Sequence, residues 1–224
     1  MSEQFTPWTY SEPVELKAEP LENQPRRRRS ELYKRETKNI YRRAWSQSQL
    51  LDLFGLQEPQ YWHSYHVISQ GDIDLFSFLA LILRHQNLDH VIISSWVYGG
   101  DDILYLGECL ENGRISKLDV YTGVIFATSY RQEYATLKQT FEKYQPGRIC
   151  IYRNHAKIIA GTGPRFPFVV ESSANANTNP RAENSVLTVD LGLYQFYKTY
   201  FDDITTFEKE QREKDKQRRR NNGN

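Results

Sequence analysis

The period of apolar positions changes several times along the chain, and each change predicts an element. Residues 73–86, IDLFSFLALILRHQ, are apolar nearly all round and follow Asp72, a side chain able to cap a helix; they predict a buried helix. Residues 90–98, HVIISSWVY, form a continuous run with β-branching, the pattern of a strand covered on both faces. Gly99-Gly100 interrupts it, and Asp101 is placed to cap a helix DILYLGECLE that stops at Asn112-Gly113. ISKLDVY reads as a second strand. Residues 130–144 put Tyr130, Tyr134, Leu137, Phe141 and Tyr144 on one helical face, closed by Pro146-Gly147. RICIYR, HAKIIAG, FPFVVES and ENSVLTVD follow as strands, and LGLYQFYKTYF opens a last helix. Before Asp72 the pattern is weaker. Trp45, Leu50, Leu51, Leu53 and Phe54 mark the start of buried structure, and residues 59–71 read as an aromatic, irregular stretch.

Helices that alternate with strands and then give way to a run of strands predict an α/β fold, a mixed β-sheet flanked by helices. No repeat of 20–50 residues is present. A body of this kind over residues 44–207 is long enough to bury a core of its own. No run of 18 apolar residues predicts a membrane span, and the first residues lack the basic and apolar regions of a secretory signal. Two cysteines, Cys109 and Cys150, cannot build a disulfide framework, so a reducing, cytoplasmic setting is expected, with no membrane partner.

The net charge of +1 hides an uneven distribution. Residues 1–23 sum to −4, residues 24–43 to +7, the body to −5 and residues 208–224 to +3. The chain therefore divides into an acidic, then arginine-rich arm over 1–43, the α/β domain over 44–207, and a charged tail over 208–224. The arm and the tail are expected to be disordered or extended. Arg26, Arg27, Arg28, Arg29, Lys34, Arg35, Arg42 and Arg43 are the candidate nucleic-acid contacts, holding DNA or RNA by its phosphates. A solvated basic tail without a partner would show the same charge pattern.

His63 and His66 lie three residues apart with no third ligand near them in sequence, so neither a metal site nor a cofactor is expected. One constellation is more specific. NHAKIIA over 154–160 is followed, after a turn, by FVVESSAN over 168–175, then by Arg181 and Glu183. Strand alternation would put His155 and Lys157 on one face, and an antiparallel neighbour would bring Ser173 and Asn175 to the same end of the sheet. Phosphoryl transfer needs such a set: a nucleophile or proton shuttle, a cation for the phosphate oxygens, and an amide donor. Glu183 would accept a hydrogen bond from the other imidazole nitrogen and so set the tautomer.

H-A-K followed by S-S-A-N and a downstream glutamate resembles the HxK…GSxN signature of the phospholipase D superfamily, over roughly residues 70–190. It is similar to the small phospholipase D-like proteins carried by phages and mobile elements, and to single-motif nucleases. The resemblance implies a phospholipase D-like fold and metal-independent phosphodiester hydrolysis through a phosphohistidine. His155 would be the nucleophile, Lys157 and Asn175 would bind phosphate, Ser173 would support the pocket, and Glu183 would orient His155. Two positions depart from the signature: Thr162 stands where the family carries an aspartate, and Ser172 replaces the glycine.

Superfamily catalysis uses two HxK motifs, one histidine attacking phosphorus and the other protonating the leaving oxygen. None of His63, His66, His85 and His90 is followed two residues later by lysine. A homodimer pairing two copies of His155 would restore the second group. The leading expectation is a nuclease acting on DNA or RNA. The alternative is a phospholipase D-like protein without turnover, a nucleic-acid-binding or phage accessory protein, and the acidic body and the two departures favour it.

Overall fold

A computed structural model describes residues 47–55, 57–176 and 181–206. Trp45, Arg26 to Arg29, Lys34, Arg35, Arg42 and Arg43, and the charged segment from 207 onward lie outside the described residues. The elements in chain order are α1 (47–54), β1 (Ser64–Ser69), α2 (Leu75–His85), β2 (His90–Ser95), α3 (Gly100–Glu111), β3 (Leu118–Gly123), α4 (Val124–Ser129), α5 (Arg131–Tyr144), β4 (Ile149–Tyr152), β5 (Ile158–Thr162), β6 (Pro167–Ser172), β7 (Glu183–Thr188) and α6 (Leu191–Asp202). Among the described residues no helix is long and apolar enough to cross a membrane.

The seven strands form one mixed sheet in the order β1-β7-β6-β5-β2-β3-β4. Strands β2, β3 and β4 are parallel, and the four on the other side pair antiparallel. Alternation divides the buried residues between two faces. Val91, Ile93, Phe168 and Val170 join the larger core with Leu50 of α1, the apolar side of α2, Ile103 and Leu106 of α3, and Leu137 of α5. Ile92, Tyr121, Ala160 and Val169 face the other way, where α6 covers them with Tyr194 and Phe201. Both faces are therefore dry, which is why β2 reads as an unbroken apolar run rather than an alternating one.

Several boundaries differ from the sequence reading. Helix α2 is capped by Asp74, not Asp72. Asp74 accepts from the Ser77 amide at 2.8 Å in a reciprocal capping box, whereas Asp72 accepts from the Gln70 amide at 3.0 Å in the preceding turn. Asp101 lies inside the first turn of α3, whose N-cap is Gly99. A Cβ on Gly99 would sit 2.8 Å from the Asp102 carboxylate, so a side chain at this capping position would have to displace that carboxylate. The helix expected over 130–144 is preceded by a separate short helix, α4, and the two meet at Tyr130. Strand β1 falls within the stretch expected to be irregular: Tyr65, Val67 and Ser69 face inward, but Ile68 is exposed and a serine takes a buried position, so apolar residues do not follow the alternation. Leu53, expected to be buried, is 66% exposed because α1 turns it away from the core.

His90, which in sequence looks like a surface or capping group, is buried between two partners at the amino end of β2. One ring nitrogen lies 2.9 Å from Asp119 and the other 2.9 Å from the Tyr194 hydroxyl of α6. Burial pushes the Asp119 carboxyl up, but the His90 bond, the Lys117 charge and the Arg148 amide outweigh it and hold the group below the usual carboxylate range. A carboxyl depressed in the fold adds stability above its unfolded pKa and loses it as pH falls through the folded value. Asp119→Asn is therefore expected to lower stability by about 1–3 kcal/mol at neutral pH. The gap to wild type should close only below the usual carboxylate range, as read from urea midpoints across pH.

Candidate active site

The carboxyl ends of β2, β3 and β4 gather on one rim of the sheet. The antiparallel register brings the start of β5, the end of β6 and the start of β7 to the same rim, through the pairs Ser94 with Ile158, Ile158 with Glu171, and Ser172 with Ser185. Residues far apart in sequence therefore converge there, as is usual where parallel strands end.

His155 and Lys157 stand on this rim, in the segment that enters β5. The strand begins only at Ile158, so the expected strand alternation does not position them. A turn built on Asn154 does. The buried Asn154 amide donates to Ser94 Oγ at 3.0 Å and to the Tyr121 carbonyl at 3.2 Å. Its Oδ1 accepts from the Ala156 amide at 2.9 Å and from the Tyr152 hydroxyl at 3.0 Å. Ser94 in turn donates to the Ala156 carbonyl at 3.3 Å. The backbone on both sides of His155 is thus tied to β2 and β3, while the imidazole itself is exposed.

Lys157 is buried, and its chain folds back so that Nζ donates to the His155 carbonyl at 2.6 Å and to Nδ1 at 2.8 Å. A protonated ammonium can only donate, so Nδ1 accepts and the neutral ring carries its proton on Nε2. Burial pulls the Lys157 ammonium below the ordinary lysine range, and the Glu183 carboxylate works in the opposite direction. The Lys157 carbonyl accepts from the Ser172 amide at 3.0 Å, which joins this segment to the end of β6.

Beyond β6 the chain turns along the rim. The Ser172 hydroxyl accepts from the Ala174 amide at 3.0 Å and lies 2.8 Å from the Ser185 hydroxyl. The Ser173 hydroxyl donates to the Glu183 carboxylate and accepts from the Asn184 amide at 3.1 Å. Glu183 thus has a different partner from the one expected: no hydrogen bond joins it to His155, and Ser173 takes its carboxylate. The reason is the register, which sets the start of β7 against the turn after β6 rather than against the start of β5. Asn175 precedes Ala176, whose amide donates to Ser95 Oγ at 2.8 Å, so this residue too is pinned to the end of β2. The Asn175 Oδ1 is buried without a hydrogen-bond partner.

Thr162 lies at the far end of β5, opposite His90. It is five residue steps along the strand from Lys157, about 16 Å at the usual rise. The position where the signature carries an aspartate is therefore remote from the imidazole. Sequence reasoning missed two residues of the rim. Asn154, next to the H-A-K motif, has no periodicity to mark it. Trp96, read only as part of a buried strand, leaves β2 and brings its ring centroid to 5.4 Å from that of His155.

No family model matches the chain, and no curated protein matches it. Solved structures with a similar course of the chain include polyphosphate kinase from Porphyromonas gingivalis, at 11% identity and a TM-score of 0.46 over 62% of this chain and 25% of that one. Phosphatidylserine synthase from Haemophilus influenzae is 13% identical, with a TM-score of 0.43 over 61% of this chain and 37% of that one. NucT from Helicobacter pylori is 15% identical, with a TM-score of 0.43 over 62% of this chain and 94% of that one. The chain thus spans about a quarter to a third of the length of the first two.

Proposed function

We propose that the chain is a phospholipase D-like phosphodiesterase, a metal-independent nuclease that cleaves DNA or RNA through a phosphohistidine. The observation that carries this reading is the contact between the exposed His155 ring and the buried Lys157 ammonium, held on the rim by Asn154. A phosphodiester oxygen offers Lys157 a charged partner in place of a neutral ring nitrogen, so bound substrate would draw the ammonium onto phosphate. That frees the imidazole to attack phosphorus. A nitrogen–phosphorus bond forms as the phosphorus–oxygen bond to the leaving nucleoside breaks, and the leaving oxygen takes a proton from a second histidine. Water then attacks the phosphorus, giving a proton to the second histidine, while the nitrogen–phosphorus bond breaks and releases His155. The second histidine is His155 of another copy, so the active species is a homodimer. Asn175, whose Oδ1 has no partner, would turn its amide NH2 to donate to the phosphate. Ser173, through its bond to Glu183, would support the phosphate site, and the Glu183 charge would favour the protonated Lys157.

Neither departure from the signature touches the reacting atoms. Thr162 is remote, and the Ser172 hydroxyl is engaged with Ser185 and Ala174 rather than aimed at the pocket. The test is cleavage of labelled single- and double-stranded DNA and RNA in EDTA. The second reading, a nucleic-acid-binding protein without turnover, is favoured by one observation, the bond from Ser173 that occupies Glu183. It requires binding with no cleavage under any of these conditions.

Two further outcomes follow. Removal of residues 1–43 should weaken binding and flatten the dependence of log affinity on log salt, because fewer phosphates are neutralised. An unchanged slope would make the arm a solvated tail. Lys157→Ala should reduce binding and turnover together, by about 5- to 150-fold, the loss of one charged hydrogen-bond partner. Because burial lowers the Lys157 pKa, binding by the wild type should decline with rising pH before ordinary lysines titrate. In Lys157→Arg, which stays charged, that alkaline decline should disappear.

A further inference from the structure

We propose that Trp96 is a stacking platform for the base next to the bound phosphodiester, so that the site takes single-stranded or unpaired nucleic acid. This rests on the phosphodiesterase reading for its phosphate, but on Trp96 alone for its base. The indole is held in place by the protein. The Trp96 carbonyl accepts from the Gly123 amide and from the Thr122 hydroxyl, both at 3.2 Å. The ring lies over Gly123, where an added Cβ would be 2.5 Å from Cδ1 and 3.1 Å from Nε1. Trp96 is partly exposed; it packs against the larger core and meets the exposed His155 ring at a tilt of 50°.

A fixed aromatic ring beside an exposed imidazole brings no charge to phosphate binding. It brings a flat, polarizable surface within the span of one nucleotide of the phosphorus that His155 would attack. A base is the part of a nucleotide that such a surface holds, and stacking accepts any base because each has a π-face. Inside a duplex both faces of a base are already stacked on neighbours, so only an unpaired base can reach the indole. A small phosphodiester or a lipid headgroup has no ring to place there.

The experiment compares the full chain with Trp96→Ala and Trp96→Phe. The probes are a labelled single-stranded hexathymidylate, a hexamer of equal charge in which every nucleoside is abasic, and a hexamer duplex. Anisotropy is read by stopped flow before cleavage, in EDTA at fixed salt. Wild type should bind hexathymidylate about 5- to 150-fold more tightly than the abasic strand, the range that one stacked base supports. The duplex, whatever its charge contributes, should bind wild type and Trp96→Ala equally. Trp96→Ala should lose the preference while binding of the abasic strand stays constant, and Trp96→Phe should keep most of it. Equal binding of natural and abasic strands by wild type would overturn the proposal. So would an equal loss on both strands in Trp96→Ala, which would make the residue a support for His155. If a base preference that depends on Trp96 appears but nothing is cleaved, the stacking site stands and the nuclease reading falls.

Discussion

His155→Ala is expected to abolish cleavage in EDTA, by at least about 10⁴-fold, the upper end of what one proton-transferring group contributes. The loss is large because the imidazole would both form the bond to phosphorus and, from the partner copy, protonate the leaving oxygen. Nucleic-acid affinity should change little. The ring is exposed, and its removal leaves the Asn154 turn intact. The variant and wild type are compared by single-turnover cleavage of labelled strands and by anisotropy at the same salt. Undiminished cutting by His155→Ala would assign the activity to another site or to a contaminant, and the binding-protein reading would take over.

Asn154→Ala is expected to be the most destabilising change on the rim that does not touch the core. It removes the amide donor to Ser94 and the Tyr121 carbonyl and the acceptor of the Ala156 amide, and leaves the Tyr152 hydroxyl without its acceptor. Each buried group left unpaired costs about 1–3 kcal/mol, and because these groups share one network the total should be about 3 kcal/mol rather than their sum. Urea unfolding measures it. At temperatures where the variant stays folded, turnover should still fall by about 10²-fold, since a displacement of the His155 segment by an ångström misaligns the attack. Binding through the basic arm should persist, so the loss should appear in kcat and leave KM nearly unchanged. A stable variant with normal kcat would show that the turn holds its shape by its backbone alone.

Much of the fold was legible in the order of residues. Runs such as HVIISS and PFVVES carry their strand character in β-branching, and the absence of alternation correctly announced a sheet covered on both faces. Helix α6 was readable from its aromatic spacing, and Asp190 caps it by accepting from the Leu193 amide. The H-A-K and S-S-A-N segments stood out as candidate chemistry, and the structure brings His155 and Lys157 into contact. Strand β1 was not legible: it turns Ile68 to solvent and buries Ser69, so its residue types do not report its alternating faces.

The sequence by itself determined where strands and helices form and which residue types could reach a phosphate, because period and capping act over a few neighbouring positions. Only the tertiary structure decided which of those residues meet. Glu183 belongs to Ser173 because of the pairing of β6 with β7, a register set over the whole strand. His90 is buried because α6, a hundred residues later, lays Tyr194 against it. Trp96 stands beside His155 because Gly123, on the neighbouring strand, has no side chain to keep the indole out. Each of these facts depends on two segments distant in the chain and on the space left between them, and no local pattern records that space.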